Sequence, residues 1–317
     1  MLNWYACPVI EIHGAPFDLG GARQGSRLGP DALRLAGLAN SLFTDLGLDG
    51  ADRGNISVDL MAEAGEGLPF AKPVAKALAQ LKQVTVGILE RNNFPIMLGG
   101  EHSMSAGPVS ALVDKYGDKL GILWIDAHVD MNTPDKSPSQ NIHGMPLALL
   151  CGFESGVQGA YDEDWHLLQN SIVSKHLNPA NICWFGLRDI DAGERERAKM
   201  GCAVTMHDID RDGVLGCWNR INQYLKSRGC EYLYISLDVD AMDPILAPGT
   251  GTAVRGGLTY REAHFLAEII YSSIQTEQAF ELVGLDVVEV SPIHDSNNQT
   301  AIVAAEWVAS LFGKSIL

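Results

Sequence analysis

One stretch of this sequence combines carboxylates and an imidazole at a spacing that suits metal binding. Asp126, His128 and Asp130 directly follow the apolar run 120–125, which has the composition of a fully buried strand. If the chain stays extended beyond that strand, alternation points all three side chains to the same side. A single Asp-x-His pair at a strand end is also a common capping or turn device, so this stretch alone is compatible with either role.

The same arrangement recurs after two other apolar runs. The run 232–237 ends in Asp238 and Asp240, and the run 95–98 is followed by His102. Carboxylates gathered at strand ends repel one another unless cations lie between them. Carboxylate and imidazole donors suit a pair of borderline-hard divalent cations, with manganese as the first choice, whereas structural zinc sites favour thiolates. The predicted metal ligands are His102, Asp126, His128, Asp130, Asp238 and Asp240.

The chain is strongly acidic. Its 317 residues include 23 Lys and Arg against 39 Asp and Glu, for a formal net charge of −16. This balance argues against nucleic acids and anionic membranes as partners, and it favours a cationic ligand. Part of the acidic excess belongs to the predicted metal site itself.

The cysteines and the N-terminus both indicate an intracellular protein. The cysteines show no C-x-x-C spacing and several lie in apolar runs, so we expect reduced core residues and no disulfides. Residues 1–6 lack the basic and apolar regions of a signal peptide, and no apolar run reaches the roughly 18 residues of a membrane span. We therefore expect a soluble, cytoplasmic protein. The six cysteines are Cys7, Cys151, Cys183, Cys202, Cys217 and Cys230.

Short apolar runs alternate with helical patterns along most of the chain, which predicts a single α/β domain over residues 1–317 with three α/β/α layers and a mostly parallel sheet. In such sheets ligands bind beyond the carboxyl ends of the strands, where the acidic clusters fall. Segment 50–70 and the segment between 125 and 181 are predicted to be loops. Strands are predicted at 9–13, 95–98, 120–125, 181–186, 203–206, 232–237 and 282–286. Helices are predicted at 30–38, 72–90, 103–116, 193–200, 213–227, 259–273 and 300–312.

Small polar residues continue directly from the predicted metal site. The loop 132–141 carries amides and hydroxyls, among them Asn132, Ser137 and Ser139, which suit the zwitterionic head group of an amino acid. Without its position beside a metal ligand, this loop would be an ordinary polar turn with two prolines. His143 follows about a dozen residues after the ligands and could shuttle a proton, since the ordinary pKa of histidine lies near neutrality.

Three further carboxylates could meet a cationic substrate. Glu289 lies at the end of an apolar strand, where an unpaired charge costs several kcal/mol. Asp189 and Asp191 follow the predicted strand 181–186 and could receive an ammonium group. For Asp191, a role as a helix N-cap is an equally good explanation.

Five motifs together resemble the signatures of the ureohydrolase family, which includes arginases and agmatinases. They are Gly-Gly-Glu-His-Ser at 99–103, Asp-Ala-His-Val-Asp at 126–130, His-Gly-Met-Pro at 143–146, Leu-Asp-Val-Asp-Ala-Met-Asp-Pro at 237–244 and Val-Glu-Val-Ser-Pro at 288–292. The resemblance covers nearly the whole chain. It implies the arginase-like fold, two Mn²⁺ ions per subunit with Co²⁺, Ni²⁺ or Fe²⁺ as alternatives, and hydrolysis of a guanidinium group to urea and an amine.

The resemblance also implies a role for individual residues. Hydroxide bridging the two metals would attack the guanidinium carbon, with Asp130 orienting it, His143 delivering a proton and Glu289 facing the guanidinium. The loop resembles that of arginases, in which an amide and two hydroxyls hold the α-carboxylate of arginine. The residues in those substrate-binding positions are Asn132, Ser137 and Ser139 for the carboxylate, Asp189 and Asp191 for the α-amino group, and Thr252, for which a turn role is equally compatible.

Within the family the sequence is most similar to arginases, which predicts cleavage of L-arginine to urea and L-ornithine. Two departures, Glu101 for the more usual Asp and Ser291 for the more usual Asn, leave agmatine and 4-guanidinobutyrate as alternative substrates. A non-catalytic metal-binding homologue is a further alternative, whereas a metallophosphatase is disfavoured because Lys136 is the only cation of the substrate loop. The pair Arg261 and Glu262 resembles the element that links subunits of trimeric members, so we expect a homotrimer or homohexamer.

Overall fold

Eight strands form one sheet in the computed structural model, which describes residues 8–315. Residues 1–6 and Cys7, which enter the predictions about export and disulfides, lie outside the described residues. The strands are β1 Ile10–Gly14, β2 Gly50–Asn55, β3 Phe94–Leu98, β4 Leu120–Ile125, β5 Ile182–Leu187, β6 Cys202–Thr205, β7 Tyr232–Asp238 and β8 Glu281–Val288.

The strand order is β2-β1-β3-β8-β7-β4-β5-β6, and every pair of neighbours runs parallel. The predicted α/β fold is confirmed, and the sheet is more uniform than the mostly parallel one expected. Every residue of β3, β4 and β5 is buried. Strands covered on both faces need apolar side chains on both, which explains their continuous apolar runs.

Helices cover both faces of the sheet. One core layer lies between the sheet and α1, α2, α8, α9 and α10, and the other lies between the sheet and α3 to α6. The predicted three layers are therefore present. The helices are α1 Gly29–Leu35, α2 Leu38–Asn40, α3 Ala71–Glu90, α4 Ala106–Tyr116, α5 Pro146–Leu150, α6 Ala160–Ile172, α7 Arg195–Ala198, α8 Met206–Ser227, α9 Tyr260–Glu277 and α10 Gln299–Leu311.

Two predicted loops contain regular structure. Segment 50–70 includes β2, a polar and half-exposed strand at the sheet edge whose one neighbour is β1. An edge strand with no buried face has no apolar alternation to reveal it. The segment between 125 and 181 holds α5 and α6, and α6 buries only Trp165, Leu168 and Ile172 among polar neighbours. The helical spacing of these three residues indicates a helix, but the polar residues around them make the pattern hard to recognise in the sequence.

The sheet order creates the opening in which the candidate site lies. Strands β3 and β4 follow each other in the chain but are separated in the sheet by β8 and β7. Connections therefore leave the carboxyl ends of these strands in different directions, which opens a crevice at that edge. The predicted ligands follow β3, β4 and β7, Asp189 and Asp191 follow β5, and Glu289 follows β8.

Two further features bear on the predictions about location. The five cysteines in the described part of the chain are buried, and none of them is in a disulfide. Within residues 8–315, no helix combines the length and apolar character needed to cross a bilayer.

Candidate metal and substrate site

Three carboxylates converge on one nitrogen of His102. Its Nδ1 lies 3.0 Å from Asp126 Oδ2, 2.9 Å from Asp130 Oδ2 and 3.1 Å from Asp238 Oδ2. His102 begins a short 3₁₀ turn after β3, whereas the aspartates come from the ends of β4 and β7. Three parallel strands of the sheet thus bring together four predicted ligands from three separate segments of the chain.

The remaining two predicted ligands form a second group that shares Asp126. His128 Nδ1 lies 3.1 Å from Asp240 Oδ2 and 3.3 Å from Asp126 Oδ1. The two oxygens of Asp126 therefore face two different imidazoles. Within the described residues, His102 with Asp126 and Asp130, and Asp126 with His128 and Asp240, each bring ligand atoms close enough to surround one ion.

The chemistry of these donors fits a pair of divalent cations. Burial lowers the pKa of His102, but the carboxylates of Asp126, Asp130 and Asp238 outweigh it and raise the pKa well above its ordinary value. The same negative potential attracts a divalent cation, which would displace the proton from the ring. None of these three carboxylates makes a well-aligned hydrogen bond with His102 Nδ1, and this buried nitrogen has no other hydrogen-bond partner among the described residues. The residues present therefore fit the two metal ions that the sequence predicts, and their roles as ligands stay predictions.

A buried relay holds the other nitrogen of His102. Nε2 lies 2.8 Å from Ser236 Oγ, and Ser236 donates to Asp286 Oδ1 at 2.6 Å. Tyr234 donates to the second oxygen of Asp286 at 2.5 Å, and the indole of Trp124 stacks on the imidazole with ring centroids 4.1 Å apart. Such outer partners fix the tautomer and ring orientation of a ligating histidine.

His143 and Glu289 form a second buried pair beside the clusters. His143 Nδ1 lies 2.9 Å from Glu289 Oε1, and the same oxygen accepts the backbone N–H of His102 at 2.9 Å. Burial lowers the pKa of His143, but the hydrogen bond to Glu289 and the charges of Glu289 and Glu101 raise it to about 9. The contact with Glu289 favours the protonated imidazole, which is the form that can donate a proton.

Most of the predicted site residues line one cavity of about 250 Å³, and the predicted ligands Asp126 and Asp240 lie outside its lining. Among the described residues that line it there is no lysine or arginine, so it lacks the cations that hold a phosphate. Glu289 is not among the lining residues, but its carboxylate contacts His102 and His143, which are. The lining includes His102, His128, Asp130, Asn132, Ser137, Ser139, His143, Asp189, Asp191, Glu194, Asp238 and Thr252.

The polar loop after Asp130 forms one wall of this cavity. Asn132 Nδ2 donates to Asp191 Oδ2 at 2.8 Å. The hydroxyl oxygens of Ser137 and Ser139 accept backbone N–H groups from Gln140 and Asn141. Each hydroxyl keeps its hydrogen for another acceptor, so the wall can offer donors to a carboxylate.

The predicted alternatives for Asp191 and Thr252 can be compared with their contacts. Helix α7 begins after Glu194, and the Asp191 carboxylate accepts from Asn132, which does not match the N-cap role. Thr252 donates to Asp240 Oδ2 at 2.9 Å, so its hydroxyl fixes a predicted ligand. Asp189 stands at the rim, 3.8 Å from His128 Nε2 and largely exposed. The substrate roles of these residues stay predictions.

Two site residues have a backbone conformation that is unusual for their type. Asp130 has φ 55° and Glu289 has φ 61°, both in the left-handed region. This conformation is costly for residues with a Cβ and is enriched at functional sites. It turns the chain sharply after β4 and after β8, so that both carboxyl groups point back toward His102 and its neighbours.

Glu194 and Ser236 belong to the site but are not among the residues predicted from the sequence. Burial raises the pKa of Glu194 to about 8, and Glu194 Oε1 accepts the backbone N–H of Met131 at 2.6 Å. Its position three residues after Asp191 in an acidic run was a usable signal. Ser236 is the one small polar residue inside the apolar run of β7, on the same face as Asp238, and that break in the run was its signal.

The two departures from the family motifs lie outside the cavity lining. Glu101 caps the turn that starts at His102 by accepting from Ser103 N at 2.8 Å, and burial together with Glu289 raises its pKa to about 7. Ser291 is buried and its hydroxyl lies 2.8 Å from His294 Nδ1. Neither side chain takes the place of a predicted ligand.

Comparison with known proteins agrees with this geometry. The sequence model of the arginase family matches residues 9–313. An arginase from Staphylococcus aureus (strain MSSA476) is 40% identical over 316 residues, 98% of each chain, and an arginase from Bacillus subtilis (strain 168) is 38% identical over 312 residues, 98% of this chain and 99% of that one. The native structure of arginase from Bacillus caldovelox superimposes with a TM-score of 0.86 at 37% identity, covering 98% of this chain and 100% of the other. A match of this extent in both sequence and fold shows that the chain belongs to the arginase family.

Proposed function

We propose that this chain, acting as a single domain, hydrolyses L-arginine to urea and L-ornithine with two Mn²⁺ ions, as a cytoplasmic homotrimer or homohexamer. The two groups of predicted metal ligands support hydrolysis of a guanidinium group in general. The observation that carries the choice of L-arginine is the wall of Asn132, Ser137 and Ser139, which shares a cavity with His102 and His128. That wall supplies hydrogen-bond donors for an α-carboxylate, a group that agmatine lacks.

The other end of the head group would meet acidic residues. Asp189, Asp191 and Glu194 line the same cavity and follow one another on the segment after β5. An α-ammonium group placed between them and the amide of Asn132 would have its charge compensated. The presence of both hydrogen-bond donors and carboxylates in the lining of one cavity therefore supports a zwitterionic substrate over a simple amine.

The guanidinium end would lie against the two groups of predicted metal ligands. When bound, two divalent cations lower the pKa of water and supply hydroxide near neutral pH. Asp130 faces both the cavity and His102, so it can orient the nucleophile. The protonated imidazole of His143 can deliver a proton to the departing amine; it then takes up another proton from solvent water, and the Glu289 carboxylate stabilises the protonated form.

The test is urea release by the Mn²⁺-loaded protein from L-arginine, agmatine and 4-guanidinobutyrate at equal concentrations. We expect kcat/KM for L-arginine to exceed that for the other two by at least about a hundredfold, because each buried donor left unpaired costs a few kcal/mol.

Equal or better turnover of agmatine or 4-guanidinobutyrate would refute the assignment of the head-group wall while leaving the metal chemistry in place. If the protein releases urea from none of the three substrates, the proposed reaction is refuted. The same assay with Co²⁺, Ni²⁺ or Fe²⁺ in place of Mn²⁺ tests the choice of metal.

A further inference from the structure

Arg197 holds the substrate loop from outside the cavity. Its Nη1 donates to the carbonyl oxygen of Met131 at 2.6 Å, and its Nη2 donates to Thr133 Oγ1 at 2.9 Å. These two acceptors lie on either side of Asn132 in the chain. One guanidinium therefore binds the backbone of the residue before Asn132 and the side chain of the residue after it.

The residue that precedes the short helix α7, Glu194, binds the backbone N–H of Met131. Glu194 accepts the Met131 N–H at 2.6 Å, so Glu194 and Arg197, three residues apart, bind the N–H and the carbonyl of one residue. On the opposite side, the N–H of Asn132 donates to the carbonyl of Gly144 at 3.0 Å. The backbone at 131–133 is thus fixed from two directions.

The guanidinium is itself held in place. It lies over the ring of Phe153, 4.9 Å from the centroid, and is partly buried. A planar fork stacked on an aromatic ring presents its two N–H groups in a fixed geometry, whereas the single ammonium of a lysine could not reach both acceptors in the same way. Arg197 does not itself line the cavity among the described residues.

We propose that Arg197 is a positioning residue that sets the affinity of the site for the carboxylate of its ligand by fixing the backbone around Asn132. The inference rests on the proposed function, because it takes the wall of Asn132, Ser137 and Ser139 as the head-group site. Arg197 makes no hydrogen bond to a predicted metal ligand in the described part of the chain, so we expect its loss to act mainly on binding of the head group.

The test compares two probes that differ only in the carboxylate, L-ornithine and 1,4-diaminobutane, titrated calorimetrically into the Mn²⁺-loaded protein. Arg197→Met keeps the aliphatic stem over Phe153 and removes both donors. We expect this variant to bind L-ornithine about tenfold more weakly and 1,4-diaminobutane no more than about twofold more weakly. The reason is that displacing Asn132 and its neighbours removes contacts to the carboxylate, which only L-ornithine has. In the urea assay KM for L-arginine should rise about tenfold with kcat nearly unchanged.

Arg197→Lys should recover part of the L-ornithine affinity. Arg195→Met removes the same kind of side chain from the same helix at an exposed position, and it should bind both probes as the wild type does. The inference is overturned if Arg197→Met binds L-ornithine normally, or if it loses affinity for both probes equally, which is the result of general damage.

The wild-type protein separates this inference from the proposed function. If it prefers L-ornithine to 1,4-diaminobutane but releases no urea from L-arginine, the proposed reaction fails and the role of Arg197 is still tested by the variants. If the wild type does not distinguish the two probes, there is no carboxylate selectivity for Arg197 to set, and the inference is wrong.

Discussion

Replacing Ser236 with alanine should weaken metal binding at His102 without touching any predicted ligand. The substitution removes the oxygen that lies 2.8 Å from His102 Nε2 and 2.6 Å from Asp286 Oδ1. Both groups are almost completely buried, so water does not replace the lost partner. The ring nitrogen then loses its acceptor, and the imidazole is free to tilt away from the position that Asp286 imposes.

The magnitude can be worked from these contacts. Leaving one buried donor unpaired costs about 1–3 kcal/mol. Loss of an outer partner of a ligating histidine typically costs about 10- to 100-fold in metal affinity, equivalent to about 1.4–2.7 kcal/mol. The two figures agree, so we expect the ion held by His102 to bind about 10- to 100-fold more weakly, with a smaller change at His128.

The assay is competition for Mn²⁺ between the metal-free protein and a chromophoric chelator, combined with thermal unfolding of the metal-free protein. Ser110→Ala is the matched control, because Ser110 is equally buried and donates to the Ile172 carbonyl between α4 and α6. It should lower stability with unchanged Mn²⁺ affinity. Normal affinity for both ions in Ser236→Ala, or an equal loss in Ser110→Ala, would refute the reasoning.

Two other predictions concern histidines with shifted pKa values. Burial lowers the pKa of His13 to about 4, so between pH 4 and 6.5 the unfolded chain binds a proton that the folded chain does not. When the pH is lowered from 8 to 5, the free energy of unfolding of the wild type should therefore fall by about 2 kcal/mol more than that of His13→Gln. Chemical denaturation at both pH values measures this, and identical pH dependence in the two proteins would contradict it. His143→Ala should lower the rate of urea release by about 100-fold or more while two Mn²⁺ ions are retained, because only the proton donor is removed. Elemental analysis beside the urea assay checks this, and loss of metal would argue for a structural role instead.

The central strands and long helices can be predicted from the sequence because burial on defined faces leaves a periodic pattern. Helix α3, for example, buries Val74, Leu78 and Leu81 at the helical spacing from which it is predicted. The edge strand β2 leaves no such pattern, because its side chains are largely exposed. Helix α6 shows only a weak one, and both were predicted as loop.

The same distinction applies to the site. The aspartates at 126 and 130 can be predicted because a cluster of carboxylates directly after an apolar run is a local property of the sequence. The extended alternation assumed for them is absent, since β4 ends at Ile125 and the chain bends there and turns at Asp130. The side chains that position them are not local: Ser236 and His102 are 134 residues apart, and Arg197 and Met131 are 66 residues apart. Such contacts depend on the order of strands in the sheet, which the periodic pattern of a single chain segment does not contain.

The left-handed backbone at Asp130 and Glu289 has a consequence for engineering this protein. A non-glycine residue in that region costs on the order of 1 kcal/mol, which glycine would relieve. A screen that selects only for thermal stability would therefore tolerate or even favour glycine at two positions where a carboxylate is needed for the proposed reaction. Stabilised variants of this chain should accordingly be chosen with both positions held constant, since robustness and turnover make opposite demands on the same two residues.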